Sequence, residues 1–356
     1  MVKMPLLWFM RKVIVIMSKY ILGIESSCDD TGVAIIKDDS ILLANIVSSQ
    51  IDVHAKYGGV MPEIASRLHA ENITICIEKA MNDANLKFED LSAIAVTNGP
   101  GLIGALHVGL QAAKTLSMIY NIPLIPVHHL AGHIFANNFE NKIEYPCLAL
   151  VVSGGNSEIV YMEDELKFKV VGETMDDAIG ECIDKVARIL GLPYPGGPHI
   201  DKMAKVGKDI YKLPIPKDDG SCNFSFSGLK TAVTNLVHKM DQNGTSYDKN
   251  DIACSFQTIA FEQIFNKLIR ALGMYEVKQV VLGGGVSANS YLREEIVKRV
   301  KNYNSQIDVV VPSLWCCMDN AAMIALVGSR LYDLNKFGSL DIGARPDYDI
   351  EEFNND

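Results

Sequence analysis

Residues 20–36, Y-I-L-G-I-E-S-S-C-D-D-T-G-V-A-I-I, decide the fold of this chain. Two apolar runs flank a polar, acidic segment, and this pattern predicts two buried strands joined by a turn. The same arrangement recurs at residues 147–161, C-L-A-L-V-V-S-G-G-N-S-E-I-V-Y, with a glycine turn between the strands. Two hairpins of one design predict an internal duplication in which each copy opens its own lobe.

The segments around the two hairpins predict an α/β fold. Residues 93–102, A-I-A-V-T-N-G-P-G-L, predict a strand that enters a glycine turn, and residues 279–289 predict a second strand before G-G-G-V-S-A-N. Helices are predicted at residues 107–120, 178–190, 251–272, 290–300 and 319–332. The last of these is rich in small apolar residues, and we expect it to pack back against the first lobe.

The chain length of 356 residues indicates about two domains. We predict a first lobe of residues 18–126 plus 318–346, a second lobe of residues 127–317, and an N-terminal extension of residues 1–17. Arg11 and Lys12 split the apolar residues of that extension into pieces too short to span a bilayer. The sequence therefore predicts no membrane span.

Charge and cysteine content narrow the classes of function. The formal net charge of -10 argues against a general polyanion-binding surface, so a nucleic-acid partner would need a local basic patch or a helper protein. The 8 cysteines include no C-x-x-C pair, which favours neither a disulfide framework nor a thiolate zinc site. A reducing cytoplasm is the expected location.

Two histidines suggest a metal site. His129 and His133 lie four residues apart in H-H-L-A-G-H, so on a helix both imidazoles share one face and can bind one ion. Imidazole ligands serve iron, zinc and manganese alike, and the spacing does not choose among them.

Three glycine turns, at residues 153–155, 196–197 and 283–285, are candidates for phosphate binding. Consecutive backbone N–H groups in such turns can approach phosphate oxygens closely. None has the G-x-x-x-x-G-K-[ST] pattern of a P-loop or the G-x-G-x-x-G spacing of a dinucleotide site. The turns therefore predict nucleotide binding by some other architecture.

The order of these features resembles a known architecture and a known family. Two strand-turn-strand tips with a later glycine turn resemble the actin, sugar-kinase and Hsp70 ATPase fold, which has two duplicated lobes around a central cleft. Within it, G-I-E-S-S-C-D-D-T-G-V-A-I, H-H-L-A-G-H, V-S-G-G-N-S, D-K-V-A-R-I-L-G-L-P-Y-P-G-G-P, F-S-F-S-G-L-K-T, G-G-G-V-S-A-N-S-Y-L-R and C-M-D-N-A-A-M-I-A resemble the tRNA threonylcarbamoyladenosine transferases. The resemblance covers residues 19–345, with the motifs in the same order.

The resemblance implies a reaction and the residues of its site. The family transfers a threonylcarbamoyl group from threonylcarbamoyl-AMP to N6 of the adenosine 3′-adjacent to the anticodon of tRNAs reading codons that start with A. The implied metal ligands are His129, His133 and Asp319, with Fe²⁺ favoured and Zn²⁺ the alternative. The implied contacts to threonylcarbamoyl-AMP or ATP are Val152, Ser153, Gly154, Gly155, Asn156, Asp184, Gly197, Asp201 and Asn289.

The acidic tip supplies the candidates for general base, Asp29 or Glu25, because a carboxylate can reach the departing proton through one water. Two departures from the family pattern fall beside the site. Asn156 stands where the family has a histidine in S-G-G-H-T, and Asp30 is one methylene shorter than the usual glutamate of C-D-E-T-G.

The implied partners are tRNA, a TsaB-like paralogue, a TsaE-like ATPase and an upstream threonylcarbamoyl-AMP synthase, with a homodimer as the alternative assembly. Candidate phosphate-contacting lysines are Lys202, Lys205, Lys208, Lys212 and Lys230.

Three other functions are alternatives to the transferase. A zincin peptidase needs H-E-x-x-H, but Leu130 occupies the place of its glutamate. A non-catalytic ATP-binding scaffold of the same fold need not keep the metal ligands. A sugar or acid kinase needs a base and a sugar pocket that the sequence does not indicate.

Overall fold

The computed structural model describes residues 18–215 and 218–355. The predicted N-terminal extension, residues 1–17, lies outside the described residues. The strands are β1 (Tyr20–Glu25), β2 (Asp30–Lys37), β3 (Ile41–Ser49), β4 (Ala93–Gly99), β5 (Leu124–His128), β6 (Cys147–Val152), β7 (Ser157–Met162), β8 (Phe168–Glu173), β9 (Gln279–Gly283) and β10 (Asp308–Val310).

These strands form two sheets of one design. The first sheet has the order β3-β2-β1-β4-β5 and the second has the order β8-β7-β6-β9-β10. In each, the first three strands are an antiparallel meander and the remaining two run parallel to the hairpin's first strand. The matching order and directions confirm the predicted duplicated α/β fold.

The helices are α1 (Ile51–His54), α2 (Pro62–Ala84), α3 (Ile103–Tyr120), α4 (His129–Phe135), α5 (Ile179–Ile189), α6 (Gly196–Ala204), α7 (Ser227–Gln242), α8 (Lys249–Met274), α9 (Ser290–Tyr303), α10 (Leu314–Cys317) and α11 (Ala321–Asp333). Short 3-10 helices lie at Ala55–Tyr57, Phe88–Asp90, Ala136–Phe139, Gly285–Ala288 and Glu352–Asn354. Among the residues that the structure describes, no helix is long and apolar enough to cross a membrane.

Helix α11 packs on β1, β2 and β4 of the first sheet, which confirms that the late apolar helix returns there. The contact is close because Gly23 of β1 has no side chain: a Cβ at this position would lie 2.3 Å from the carbonyl oxygen of Ala321. Helix α4 packs against α11 and also against β5, β6 and β9. Helix α4, which carries two of the predicted metal ligands, therefore contacts both sheets, and α11 packs between α4 and the first sheet.

One predicted turn is wrong. Gly196 and Gly197 are the first residues of α6 and do not form a glycine turn. A Cβ on Gly196 would lie 2.3 Å from the Cβ of Ala187 in α5, so this glycine allows the two helices to approach closely. The backbone N–H of Gly196 donates to Asp184 Oδ1 at 2.7 Å, and this bond satisfies one of the free N–H groups at the start of the helix.

Candidate metal and nucleotide site

The three predicted metal ligands meet at one point. Helix α4 places His129 and His133 on one face, and Asp319 lies two residues before the start of α11, which packs beside α4. One ligand atom of each residue lies within 4.8 Å of the others. Asp319 Oδ1 is 3.1 Å from His133 Nε2 and 3.6 Å from His129 Nε2. Two imidazoles and one carboxylate in this arrangement are a typical set of ligands for a transition metal.

Glu25 orients one of these imidazoles. It is 1% exposed at the end of β1, and its Oε2 lies 2.9 Å from His129 Nδ1. Because the carboxylate accepts, His129 Nδ1 carries the proton and the Nε2 side faces Asp319. Thr97 Oγ1 donates to Glu25 Oε2 at 2.7 Å, and the Ser27 N–H donates to Oε1 at 2.6 Å. Both carboxylate oxygens of Glu25, a candidate base, therefore accept hydrogen bonds from groups within the protein.

The charges and unpaired atoms of this cluster fit a bound cation. Burial lowers the pKa of His129, but the carboxylates of Glu25 and Asp319 outweigh that effect and raise it to about 9. The two carboxylates therefore supply negative charge that would balance a cation bound at the Nε2 side of this imidazole. Both ring nitrogens of His133 are buried and make no hydrogen bond to any described residue. A buried nitrogen without a partner costs free energy, and coordination of an ion at Nε2 would remove that cost.

The turn between β1 and β2, residues 26–29, lies next to the metal ligands. Ser27 Oγ is 3.2 Å from His129 Nδ1. Asp29 Oδ2 accepts a hydrogen bond from Tyr194 Oη at 3.3 Å. Asp30 Oδ1 is buried and has no hydrogen-bond partner among the described residues. Burial, together with Asp319 and the other nearby carboxylates, outweighs a hydrogen bond from Ser49 and raises the pKa of Asp30 to about 7.

The turn between β6 and β7 has open space beside its glycines. A Cβ on Gly154 or Gly155 would meet nothing within 4 Å. The turn is closed by the Ser153 N–H, which donates to the Asn156 carbonyl at 2.8 Å, and by the Asn156 N–H, which donates to Ser153 Oγ at 3.1 Å. Val152 is the buried last residue of β6. The two glycines therefore present backbone to a ligand without steric obstruction.

The predicted ribose contacts lie around the start of α6. Asp184 of α5 uses Oδ1 to accept from Gly196, and burial raises the pKa of its carboxyl. A Cβ on Gly197 would meet nothing within 4 Å. Asp201 Oδ1 accepts from Ser290 Oγ at 2.7 Å. The N-terminus of α6 and these carboxylates together suit a polar, hydroxyl-bearing ligand.

The side-chain amide of Asn289 makes two hydrogen bonds within the protein. Its Oδ1 accepts from the Leu292 N–H at 3.0 Å and caps α9, while its Nδ2 donates to Gln257 Oε1 at 2.7 Å. One N–H and one lone pair of the amide remain for a base edge. The capping signal was present in the sequence, because asparagine directly before a helix is a preferred N-cap.

The structure adds residues that the sequence analysis did not select. They are Ser27 and Thr97 beside Glu25, Tyr194 beside Asp29, Gln257 beside Asn289 and Ser290 beside Asp201. Tyr194 lies between two prolines in P-Y-P-G-G-P, a motif that the resemblance includes without giving the tyrosine a role. Thr97, Gln257 and Ser290 bond across large sequence separations and carry no local signal, whereas Ser27 lies two residues from Glu25.

Comparison with known proteins places the chain in one family. Residues 41–326 match TsaD, tRNA N6-adenosine threonylcarbamoyltransferase. The enzyme of that name from Listeria welshimeri is 49% identical over 333 residues, which cover 93% of this chain and 97% of the relative. The Bacillus subtilis enzyme is 49% identical over 337 residues, covering 94% of this chain and 96% of the relative.

Solved structures share the fold at low sequence identity. Component A of the Acidaminococcus fermentans (R)-2-hydroxyglutaryl-CoA dehydratase superposes with a TM-score of 0.52 at 16% identity, covering 87% of this chain and 97% of that protein. Full-length HypF, solved with phosphate and nucleotide, gives a TM-score of 0.59 at 14% identity, covering 88% of this chain and 46% of HypF.

Proposed function

This chain belongs to the tRNA N6-adenosine threonylcarbamoyltransferase family, and we propose that His129, His133 and Asp319 hold its metal ion beside bound threonylcarbamoyl-AMP. The protein transfers the threonylcarbamoyl group to N6 of the adenosine 3′-adjacent to the anticodon in tRNAs reading codons that start with A. The observation that carries the site assignment is the convergence of three ligand atoms within 4.8 Å, next to the β1–β2 turn.

The reaction forms one bond and breaks one. The exocyclic amine of the adenosine attacks the carbamoyl carbon, the bond from that carbon to the phosphate oxygen breaks, and AMP leaves with the bonding electron pair. The amine loses one proton. An aryl-type amine is a weak nucleophile, so the protein must hold it at close range and stabilise the charge that develops on the departing phosphate.

The glycine turn between β6 and β7 and the start of α6 hold the nucleotide in this proposal. Backbone N–H groups of Gly154 and Gly155 contact the phosphate, where no side chain obstructs approach. Asp184 and Asp201 accept from ribose hydroxyls, and Asn289 meets the adenine with its remaining N–H and lone pair. His129, His133 and Asp319 would hold the metal, iron or zinc, which when bound would supply Lewis-acid chemistry to the site.

The proton passes to the pair of adjacent carboxylates, Asp29 and Asp30. Asp29 is predicted as a base, and its carboxylate accepts hydrogen bonds from Tyr194 and from the Cys28 thiol. Asp30 has a buried oxygen without a partner among the described residues and a pKa of about 7, which suits proton transfer near neutral pH. Glu25, the other predicted base, acts instead by orienting His129, because its carboxylate is already occupied by three donors.

Replacement of Glu25 by glutamine tests that orienting role. We expect Glu25→Gln to weaken metal affinity by about 10–100-fold, because a neutral amide loses the charge that fixes the His129 tautomer. Titration of apo-protein with Fe²⁺ or Zn²⁺ measures the effect. Glu158→Gln is the control, since this half-buried glutamate lies on β7 outside the cluster. Equal affinity in Glu25→Gln and wild type would contradict the role.

The pH dependence tests the carboxylate pair. We expect kcat/KM of the wild type to fall as the pH drops below about 7, because protonated Asp30 can no longer accept a proton. Asp30→Asn should lack this acidic limb, and Asp29→Asn should be slow across the whole range. The measurement is the initial rate of threonylcarbamoyladenosine formation between pH 5.5 and 8.5, a range that extends about one and a half pH units to each side of pH 7. An unchanged acidic limb in Asp30→Asn would exclude this residue.

We also propose how the chain divides into lobes, where it works and with which partners. The two sheets belong to lobes of residues 18–126 with 318–346 and of residues 127–317. The protein works in the cytoplasm with a TsaB-like paralogue and a TsaE-like ATPase, downstream of a threonylcarbamoyl-AMP synthase. The lysines that contact tRNA phosphates come from Lys202, Lys205, Lys208, Lys212 and Lys230.

The direct test of the function is to incubate the protein and its helper subunits with tRNA, synthase, threonine, bicarbonate and ATP. Nucleoside analysis should detect threonylcarbamoyladenosine. Substitution of the target adenosine by guanosine provides the control and should abolish the product. Cleavage of a glycoprotein without nucleoside modification would favour the peptidase, and absence of both reactions would favour the scaffold.

A further inference from the structure

Three consecutive carbonyl groups of the β1–β2 turn are held by three different parts of the fold. The Ser27 carbonyl accepts from the Leu102 N–H at 2.8 Å, and the Asp29 carbonyl accepts from the Gln50 N–H at 3.1 Å. Between them, the Cys28 carbonyl lies 3.0 Å from His69 Nε2. Of these three donors only the imidazole is a side chain, so it is the one whose contribution depends on residue type.

The chemistry of the contacts fixes the protonation of His69. A carbonyl oxygen can only accept, so Nε2 carries a proton. Nδ1 lies 2.7 Å from Thr31 Oγ1 and, in the neutral ring, accepts from that hydroxyl. The ring is 0% exposed, and burial lowers its pKa, which agrees with a neutral imidazole. One ring therefore bridges Cys28 and Thr31, the residues that bracket the two acidic side chains.

The strand geometry shows what this bridge controls. Successive side chains of a strand point to opposite faces, and Thr31 points to His69 of α2. Gly32 points the other way, since a Cβ there would lie 3.0 Å from the backbone nitrogen of Ala321 in α11. Asp30 shares the face of Gly32. It is therefore directed to the side of the sheet where α11 packs and where Asp319 lies two residues before that helix.

We propose that His69 is a positioning residue for the transferase reaction, which holds Asp29 and Asp30 at the site by clamping Cys28 and Thr31 from behind the sheet. The inference rests on the proposed function. The nucleotide contacts of that function come from the β6–β7 turn, Asp184, Asp201 and Asn289, whereas the His69 ring bonds to Thr31 and Cys28. Loss of the clamp should therefore slow the chemical step and leave binding of threonylcarbamoyl-AMP intact.

Two substitutions separate the two hydrogen bonds. In His69→Gln, the amide nitrogen can take the place of Nε2 and keep the bond to the Cys28 carbonyl. In His69→Asn, the shorter amide can serve Thr31 but cannot reach Cys28. We expect kcat of His69→Asn to fall by about 10–100-fold with KM for threonylcarbamoyl-AMP unchanged, because small misplacements of reacting groups have effects of this size. We expect His69→Gln to lie within about threefold of wild type.

The experiment measures kcat and KM with tRNA, preformed threonylcarbamoyl-AMP and the helper subunits, together with the thermal unfolding midpoint of each variant. Ser117→Ala is the matched control: it removes another buried hydrogen bond, from Ser117 Oγ to the Ile122 carbonyl at 2.6 Å, at the far end of α3. It should lower the midpoint and leave kcat unchanged.

The outcomes are distinct. Wild-type kcat in His69→Asn, while the wild type forms the modified nucleoside, would overturn the positioning role and leave the proposed function in place. Equal loss in the asparagine and glutamine variants, in proportion to their midpoints, would also overturn it, since that pattern is structural. Absence of modified nucleoside with the wild-type protein would overturn the proposed function, and this inference would fall with it.

Discussion

His133→Ala is expected to remove bound metal and to lower the transferase rate by at least about 100-fold. His133 is 0% exposed, its Nδ1 lacks a hydrogen bond to any described residue, and its Nε2 faces Asp319 Oδ1 at 3.1 Å, so the polar contact that the substitution removes is the one to the other proposed ligand. The substitution leaves Asp319 and His129 with one ligand fewer for the ion. Metal content of the purified protein and the rate of threonylcarbamoyladenosine formation are the two measurements.

The matched control for this prediction is His238→Ala, which removes an exposed histidine of α7 in the second half of the chain. It should keep metal content and activity at wild-type values. Wild-type metal content in His133→Ala would show that this residue is not a ligand. Retained activity after loss of the metal would show that the ion does not take part in the reaction.

Gly23→Val is expected to destabilise the protein by about 3 kcal/mol and to weaken metal binding at the same time. Even a Cβ at this position would lie 2.3 Å from the carbonyl oxygen and 2.8 Å from the nitrogen of α11 residues, and these atoms are backbone. Helix α11 must therefore move away from β1. Asp319 lies two residues before the helix and should move with it, away from His129 and His133.

The control is Gly228→Ala at the start of α7, where a Cβ meets nothing within 4 Å. Its stability should stay within about 1 kcal/mol of wild type, because alanine is a better helix former than glycine. Thermal unfolding and metal titration compare the two variants. If Gly23→Val is destabilised but binds metal with unchanged affinity, the position of Asp319 does not depend on the packing of α11 against β1, and the prediction is contradicted.

The parts of the fold that the sequence predicted are those with a strong local period. The two hairpins were visible because each has a continuous apolar strand on both sides of a polar or glycine turn. His129 and His133 were visible because residues four apart on a helix share a face. The position of α11 was predicted from its small residues. Gly23 of β1 lets the backbone of this helix approach the strand closely.

The parts that the sequence did not predict depend on contacts between distant residues. The sequence predicts a turn at the start of α6 because Gly196, Gly197 and Pro198 are typical of turns. The start of this helix is stabilised by the Asp184 carboxylate, which comes from α5. The sequence offers Glu25 as a candidate base and gives no sign of its hydrogen-bond partners Thr97 and His129, which lie far along the chain. Hydrogen bonds between residues far apart in the chain produce no periodic pattern in the sequence.

The return of α11 to the first sheet has a consequence for biosynthesis. On the ribosome, β1 and the two histidines of α4 emerge long before Asp319, so a nascent chain carries the imidazoles without their carboxylate and an apolar sheet face without its cover. In the proposed site, an ion would be captured with full affinity only after almost the whole polypeptide has been made. A chain that retains the metal would therefore be one that includes α11. Fragments that end before this helix should expose apolar surface to chaperones.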